Sequence, residues 1–579
     1  MNMIDSFCWE RCLFYAKGIW ENDHRLTNSG FLKTAAFVEK TMREIGLDEV
    51  EVLNALADGR TQYAEWIIPQ AWEIKAGRLS YEDGEMIADY DEIPCSVSMR
   101  SAKTPASGVW AEAVDADIRP AGDWMAGKLL FTARSAAEIL PDAVKHNAIG
   151  IISDFFPLYK GIRESKEDMR GAVRWDCEFM PVKNETGLFA FNLTPERGER
   201  LRTRLASGDK VILHAFIDAD AFDGYAPTVS GAIPGTDPSL GEIFLYGHLY
   251  EPGANDNASG CALMLECMNI YQSLIRKGVM NRPKRTIRLA LGQECMGSNA
   301  YMLAHPERDE RIGLVADMIG NEGVDNATFG VWHSPYSNWS FLDDLIEETV
   351  RDARKLWNFP YVSRPFGIAS DNMLGDPAFG MPTVALITEP AKSYHTSMDT
   401  PDRLEECVMR RNAWILLRVI KALADADPEH GIDLTYEYTG RRHAKAVDSL
   451  EKAFWKKRLK AIREEKDAFL KGKRYLPDPE DIPFPQPTAG IEDKRVIRLL
   501  DGCMTLPKTD PETGKTFHTA WNTEVHRPLF WADGKRTIWE IACLTAMEAG
   551  KNDYPLAYSE CMSLFRALEA GGIVRLEAD

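Results

Sequence analysis

Several polar residues in the middle of the sequence close apolar runs. His248 ends the run beginning at Ile243, Glu294 follows TIRLALGQ, Asp317 follows GLVA, and His395 comes shortly after TVALI. Asp256 lies a short turn beyond His248, in YGHLYEPGANDNASG, among Gly253, Asn255, Asn257 and Ser259. Those small polar residues turn a chain rather than fill a core. Imidazoles and carboxylates converging on one edge match the donors a borderline divalent cation such as zinc accepts. An aspartate set between two such ions can bridge them, and Asp256 occupies the right kind of loop. Zinc lowers the pKa of a bound water and polarises a carbonyl, which leaves one carboxylate to move protons. Glu294, in LGQECMGS between a strand and a small-residue turn, is the candidate for that base. Taken singly, each residue has an ordinary reading as a strand-end histidine, an Asx turn, a helix cap or a solvated carboxylate. The joint placement is what points to one site. His146, His305 and His333 have no such company and read as structural or exposed.

The elements that must carry these residues lie in residues 225–430. Strand patterns occur at 243–246, 286–291, 313–316 and 383–387, interleaved with helix patterns at 258–275 and 341–357. This alternation predicts an α/β fold with a mainly parallel sheet and helices on both faces. The site would then sit at the carboxyl edge of the strands, where open α/β sheets place their ligands.

The chain divides around that block. Residues 1–103 read as the N-terminal part of the catalytic domain, helical over 4–45 and mixed after it. In 104–215, strands at 109–118, 128–132 and 148–154 surround a helix at 136–146, and a helix at 195–206 and a strand at 211–217 bring the chain back. Residues 216–435 are the catalytic domain. Within 436–490, a charge-rich segment at 440–470 reads as a solvated helix, and YLPDPEDIPFPQPTAG as a proline-dense linker. The last unit, 491–579, reads as a short strand at 529–531, a turn at Asp533 and Gly534, two helices and a final strand in IVRLEA.

GHLYEPGANDNASG, LGQECMGS, LVADMIG and GIASDNMLGDPAFGMPTVALITEPAKSYHTSMDTPDRL occur in the order and spacing of the zinc aminopeptidase family. That family also includes glutamate carboxypeptidase, glutaminyl cyclase and the inactive transferrin receptor. The resemblance implies the zinc exopeptidase fold and one or two zinc ions. It implies that His248 and Asp317 bind one metal, Asp256 bridges, His395 binds the second and Glu294 is the general base. Ser370 and Asp371 match the family's pair near the substrate pocket, and Tyr394 either helps hold the carbonyl oxyanion or packs. The chain departs from the pattern twice. Cys295 stands where the family has a second glutamate ligand, so either its thiolate binds zinc or the second site is weak or empty. Tyr250 stands where an aspartate usually orients the first histidine, so another group must do that work. GKLLF followed by AVKHNAIGIISD resembles the protease-associated insert of several aminopeptidases, and the last unit resembles a winged helix.

Composition narrows the function classes. A net charge of -20 argues against nucleic acid and anionic membranes as partners. The last unit holds 11 Lys plus Arg against 14 Asp plus Glu, which favours protein contact or homo-oligomerisation over DNA. The N-terminus lacks the pattern of a secretory signal, and 11 cysteines without a framework fit reduced thiols in a cytoplasm. Cys8 and Cys12 read as helix packing. The expectation is a cytoplasmic zinc exopeptidase acting on the N-terminal amide of a peptide or peptide-like molecule. Its rivals are a specialised amidase, carboxypeptidase or cyclase at the same site, and a non-catalytic scaffold.

Overall fold

The computed structural model describes residues 3–175, 182–208, 210–473, 482–487, 491 and 493–578. Its larger sheet has eight strands in the order Asp48–Ala57, Gly224–Ile233, Thr286–Gln293, Glu242–Leu249, Glu310–Asp317, Thr383–Thr388, Phe329–Trp332 and Tyr361–Arg364. The four at the centre, from Thr286–Gln293 to Thr383–Thr388, are mutually parallel. Both faces are covered, so these strands are near-continuous apolar runs rather than alternating ones. Ile243 and Leu245 enter one apolar cluster with the helix Ala258–Arg276, while Phe244 and Tyr246 enter another with Tyr301, Leu374 and Met381. The sheet is mixed and mainly parallel, in an α/β fold, as the alternation predicts.

A second sheet of seven strands has the order Met86–Asp89, Ala71–Tyr81, Val211–Phe222, Val109–Asp115, Leu129–Thr132, Gly150–Ser153 and Phe189–Asn192. It recruits residues 71–89, which the sequence reading placed with the catalytic part, so this layer begins well before residue 104. The cause is long-range pairing: Ala71–Tyr81 runs antiparallel along nearly the whole of Val211–Phe222. No local pattern announces a partner so far along the chain.

The N-terminal helices Trp9–Asp23 and Asn28–Ile45 lie against the first sheet and the helix Ala258–Arg276. Arg11 there forms a bidentate pair with the buried Glu266, Nε–Oε2 2.7 Å and Nη2–Oε1 2.6 Å.

Two expectations for the C-terminal region change. The charge-rich helix Ser449–Leu470 is not simply solvated. It buries Phe454, Trp455, Ile462 and Phe469, with the Phe454 ring stacked on Tyr336 at 5.5 Å. Residues 529–531 form no strand. Leu529 and Phe530 end the helix Thr523–Phe530, because a three-residue apolar run does not distinguish strand from helix and Asn522 caps a helix here. Much of the proline-dense stretch, residues 474–481 and 488–490, lies outside the described residues. The final helices share one apolar cluster with the catalytic layer, from Ile4 to Val574. Arg498 binds Asp376 bidentately across that junction, at 2.6 and 2.5 Å. Among the described residues, no helix is long and apolar enough to cross a membrane.

Candidate metal centre

The parallel strands deliver their polar ends to one point. His248 is the penultimate residue of Glu242–Leu249, Glu294 follows Thr286–Gln293, and Asp317 closes Glu310–Asp317. His395 comes from the loop after Thr383–Thr388, and Asp256 from the turn leading into Ala258–Arg276. His248 Nε2 lies 3.3 Å from Asp256 Oδ1, 3.8 Å from Asp317 Oδ1 and 3.8 Å from Glu251 Oε2. His395 Nε2 lies 3.2 Å from Asp256 Oδ2, so each oxygen of Asp256 faces a different imidazole. Donor atoms of His248, Glu294 and Asp317 fall within 4.8 Å of one another, as do those of His248, Glu251 and Asp256.

Close backbone packing makes the turn. Asp399 accepts from the amides of Asn255 at 2.8 Å and Asp256 at 3.0 Å. A Cβ on Gly253 would stand 2.3 Å from Asp399 Oδ2, so only glycine lets that carboxylate reach the loop. Asn257 caps the helix and also donates to the Ala316 carbonyl, while a Cβ on Gly260 would meet that same carbonyl at 2.3 Å. The helix start is thereby seated on the strand end that carries Asp317. Tyr250, Cys295, Met318 and His395 all have φ between +53 and +71, each at or just after a site residue. Such conformations cost roughly 1–3 kcal/mol apiece and collect where surrounding structure must aim side chains.

The smaller layer holds the His395 loop. The buried Arg163 donates to the carbonyls of Lys392 at 3.1 Å and Tyr394 at 3.4 Å. The Trp175 amide donates to the His395 carbonyl at 3.1 Å, and the two rings lie 4.5 Å apart.

Three of the residues named from the sequence, Cys295, Ser370 and Asp371, are fully buried. Cys295 is fully buried, and its side chain packs in an apolar cluster with Trp66, Phe366, Met373 and Cys503, outside both donor groups. Burial pushes that thiol's pKa well up, with Glu294 adding to the rise, which disfavours a thiolate. Asp371 is also fully buried. Its Oδ2 accepts from His248 Nδ1 at 3.1 Å, and its Oδ1 from the Cys295 amide at 2.7 Å and Ser298 Oγ at 2.9 Å. Ser370, equally buried, rests against Asp317. Asp371 thus does the orienting that Tyr250 cannot do. Tyr250 instead stacks on Phe31 at 4.5 Å, and its amide is held by Asp23 at 2.8 Å. Tyr394 stays beside His395, with ring centroids 3.7 Å apart. The residue that sequence reasoning missed is Glu251. Its signal was available, a carboxylate just past the position where the family pattern expects one.

Residues 228–420 match the profile of Peptidase family M28. This segment is an M28 peptidase domain. A peptidase M28 precursor from Shewanella amazonensis SB2B is similar in fold, with a TM-score of 0.51 at 15% identity over 73% of this chain and 97% of that one. The zinc aminopeptidase BSAP from Bacillus subtilis gives a TM-score of 0.49 at 19% identity, over 70% of this chain and 94% of that one. A putative peptidase from Clostridium acetobutylicum gives 0.49 at 15%, over 98% of both chains. No curated protein matches.

The family implies a metallopeptidase that uses zinc, and the M28 domain's own atoms fit that ion. Asp317 Oδ1 and Glu251 Oε2 are shielded from solvent and have no hydrogen-bond partner, a costly arrangement for carboxylates unless a cation satisfies them. Nitrogen and carboxylate donors at this density suit zinc. Burial opposes charge on His248, yet Asp317 and Glu294 nearby hold its pKa well above the usual range. Burial likewise drives Glu294 well up, only partly offset by His248.

Proposed function

We propose that the chain is a zinc aminopeptidase in which His248, Asp317, Asp256 and His395 hold the metal and Glu294 is the general base. The observation that carries this reading is Asp256, with one oxygen facing His248 and the other facing His395. A carboxylate so placed would hold zinc together with either imidazole. When bound, zinc supplies a water of lowered pKa and polarises the scissile carbonyl. Glu294, at the end of its strand and close to the His248–Asp317 pair, takes the proton of the attacking water and returns it to the leaving amine. Asp371 keeps a proton on His248 Nδ1, so that Nε2 offers its lone pair to the metal side. Tyr394 stays protonated, because burial and then Asp256 push its pKa far up, and its hydroxyl is a donor for the carbonyl oxygen. The seven-stranded layer reads as a protease-associated insert, and its Arg163 and Trp175 steady the His395 loop. The specialised amidase, carboxypeptidase and cyclase readings use the same donors, and a panel of aminoacyl, C-terminal and amide substrates separates them. The direct test is Glu294→Gln. It should keep its zinc and lose about 100- to 10,000-fold in turnover. Hydrolysis at the wild-type rate in that variant would refute the assignment.

A further inference from the structure

The carboxylate behind His248 is carried by a segment with little regular structure. Residues 365–376 leave the strand Tyr361–Arg364 and hold a single 3-10 turn, Asp371–Gly375. Such a segment keeps its shape through hydrogen bonds and packing rather than through a ladder of its own. Inside it, Asn372 Oδ1 accepts from the amides of Ala369 at 3.1 Å and Ser370 at 3.2 Å, and Asn372 Nδ2 donates to the Gly367 carbonyl at 2.8 Å. The Ile368 amide instead reaches out of the segment and donates to Thr523 Oγ1 at 2.9 Å, 155 positions along the chain. Thr523 opens the helix Thr523–Phe530, and that helix also brings Phe530 against Phe366, with ring centroids 5.5 Å apart. At the far end of the segment Asp376 takes the bidentate pair with Arg498. Between these two anchors, Cys503 shares a buried apolar cluster with Met373 and Cys295. A Cβ on Gly502 would stand 2.7 Å from Asn299 Oδ1, and Asn299 Nδ2 donates to the Cys295 carbonyl at 2.8 Å. Residues 498–530 therefore grip both ends of the Asp371 segment and abut the turn that follows Glu294.

We infer that Thr523 is a positioning residue for the metal centre: by fixing the Ile368 amide it sets where Asp371 stands behind His248. The inference rests on the proposed metal-dependent reading of that site. The tolerance is small. Asp371 Oδ2 is 3.1 Å from His248 Nδ1, and its Oδ1 must at the same time meet the Cys295 amide at 2.7 Å and Ser298 Oγ at 2.9 Å. A contact stretched to about 3.6 Å is no longer a hydrogen bond, so a displacement of roughly 0.5 Å releases the imidazole. Thr523 acts through one hydrogen bond from a side chain that can be exchanged with little change of shape. Valine keeps the volume and removes the acceptor, and serine keeps the acceptor.

The test uses the full chain as wild type, Thr523→Val, Thr523→Ser, Asp371→Asn and the double variant Thr523→Val with Asp371→Asn. Zinc affinity is read by competition with a chromogenic chelator, and urea unfolding of each metal-free form checks the fold. Thr523→Val should bind zinc about 10-fold more weakly than wild type, and Thr523→Ser should match wild type. In the Asp371→Asn background, Thr523→Val should change zinc affinity by less than about 2-fold, because the two residues act in series. Wild-type affinity in Thr523→Val, a serine variant as weak as the valine one, or the same 10-fold loss on top of Asp371→Asn would overturn the inference. Amide hydrogen exchange of the metal-free forms gives a reading that needs no ion. Residues 368–373 should exchange faster in Thr523→Val than in wild type and Thr523→Ser, while the strand Glu242–Leu249 stays protected, and unchanged exchange there would also count against the inference. A wild type that binds no zinc but shows this exchange pattern defeats the metal-dependent reading and leaves Thr523 as the support of Asp371. A wild type that binds zinc with the expected pattern of losses but hydrolyses no peptide defeats the aminopeptidase reading alone.

Discussion

Asp371→Asn replaces one atom of a fully buried side chain and tests what orients His248. Asp371 has three donors to satisfy: His248 Nδ1 at 3.1 Å, the Cys295 amide at 2.7 Å and Ser298 Oγ at 2.9 Å. An asparagine has only one acceptor oxygen. If that oxygen keeps Cys295 and Ser298, the amide NH2 faces Nδ1, and the imidazole must move its proton to Nε2. Nε2 is the nitrogen that points at Asp256 and Asp317, so the lone pair intended for the metal is lost. If the amide turns the other way, its NH2 meets the Cys295 N–H, and a buried donor left without an acceptor costs about 1–3 kcal/mol. Loss of the carboxylate behind a metal-binding histidine typically lowers metal affinity by about 10- to 100-fold, or ~1.4–2.7 kcal/mol. The assay is competition with a chromogenic zinc chelator, paired with urea unfolding of the metal-free protein. Zinc affinity equal to wild type would refute the argument. A raised KM with unchanged zinc affinity would return Asp371 to the substrate-contact role implied by the sequence resemblance.

Arg498→Met leaves Asp376 buried without its guanidinium and should cost about 3–5 kcal/mol in urea unfolding, with part of the loss recovered by adding Asp376→Asn. Arg163→Met removes the donors to the Lys392 and Tyr394 carbonyls, and should speed amide hydrogen exchange across residues 391–396 while leaving the strand Glu242–Leu249 protected. Burial raises the Asp344 pKa from 3.8 to about 6, against hydrogen bonds from Thr439. The folded form therefore keeps a proton that the unfolded chain gives up, and stability falls as pH rises through the window between those two values, then levels off. The rise corresponds to about 3 kcal/mol. Asp344→Asn should flatten stability against pH across that window, and an unchanged slope would exclude Asp344 as its source.

Much of the centre is legible in one dimension because parallel strands end where their apolar runs end. His248, Glu294 and Asp317 are readable as strand termini, and Asp256 as part of a turn rich in glycine and asparagine. Less legible is what depends on the far side of each residue. Asp371 reads as a substrate contact by its motif, and its burial against His248 Nδ1 is not visible in the sequence. Cys295 stands where the resemblance has a ligand or else a weak or empty second site, and its side chain packs among Trp66, Phe366 and Met373 and belongs to neither donor group. Residues 71–89 look like part of the catalytic block until Ala71–Tyr81 pairs with Val211–Phe222.

By itself, the sequence determined the α/β alternation and which polar residues end the strands, since hydrophobic periodicity and turn chemistry are local properties of the chain. Only the tertiary structure decided which carboxylates point inward. A side chain's direction and its desolvation depend on residues far away in sequence: Asp23 and Phe31 against Tyr250, Asp399 beneath Gly253, and Arg163 and Trp175 against the His395 loop.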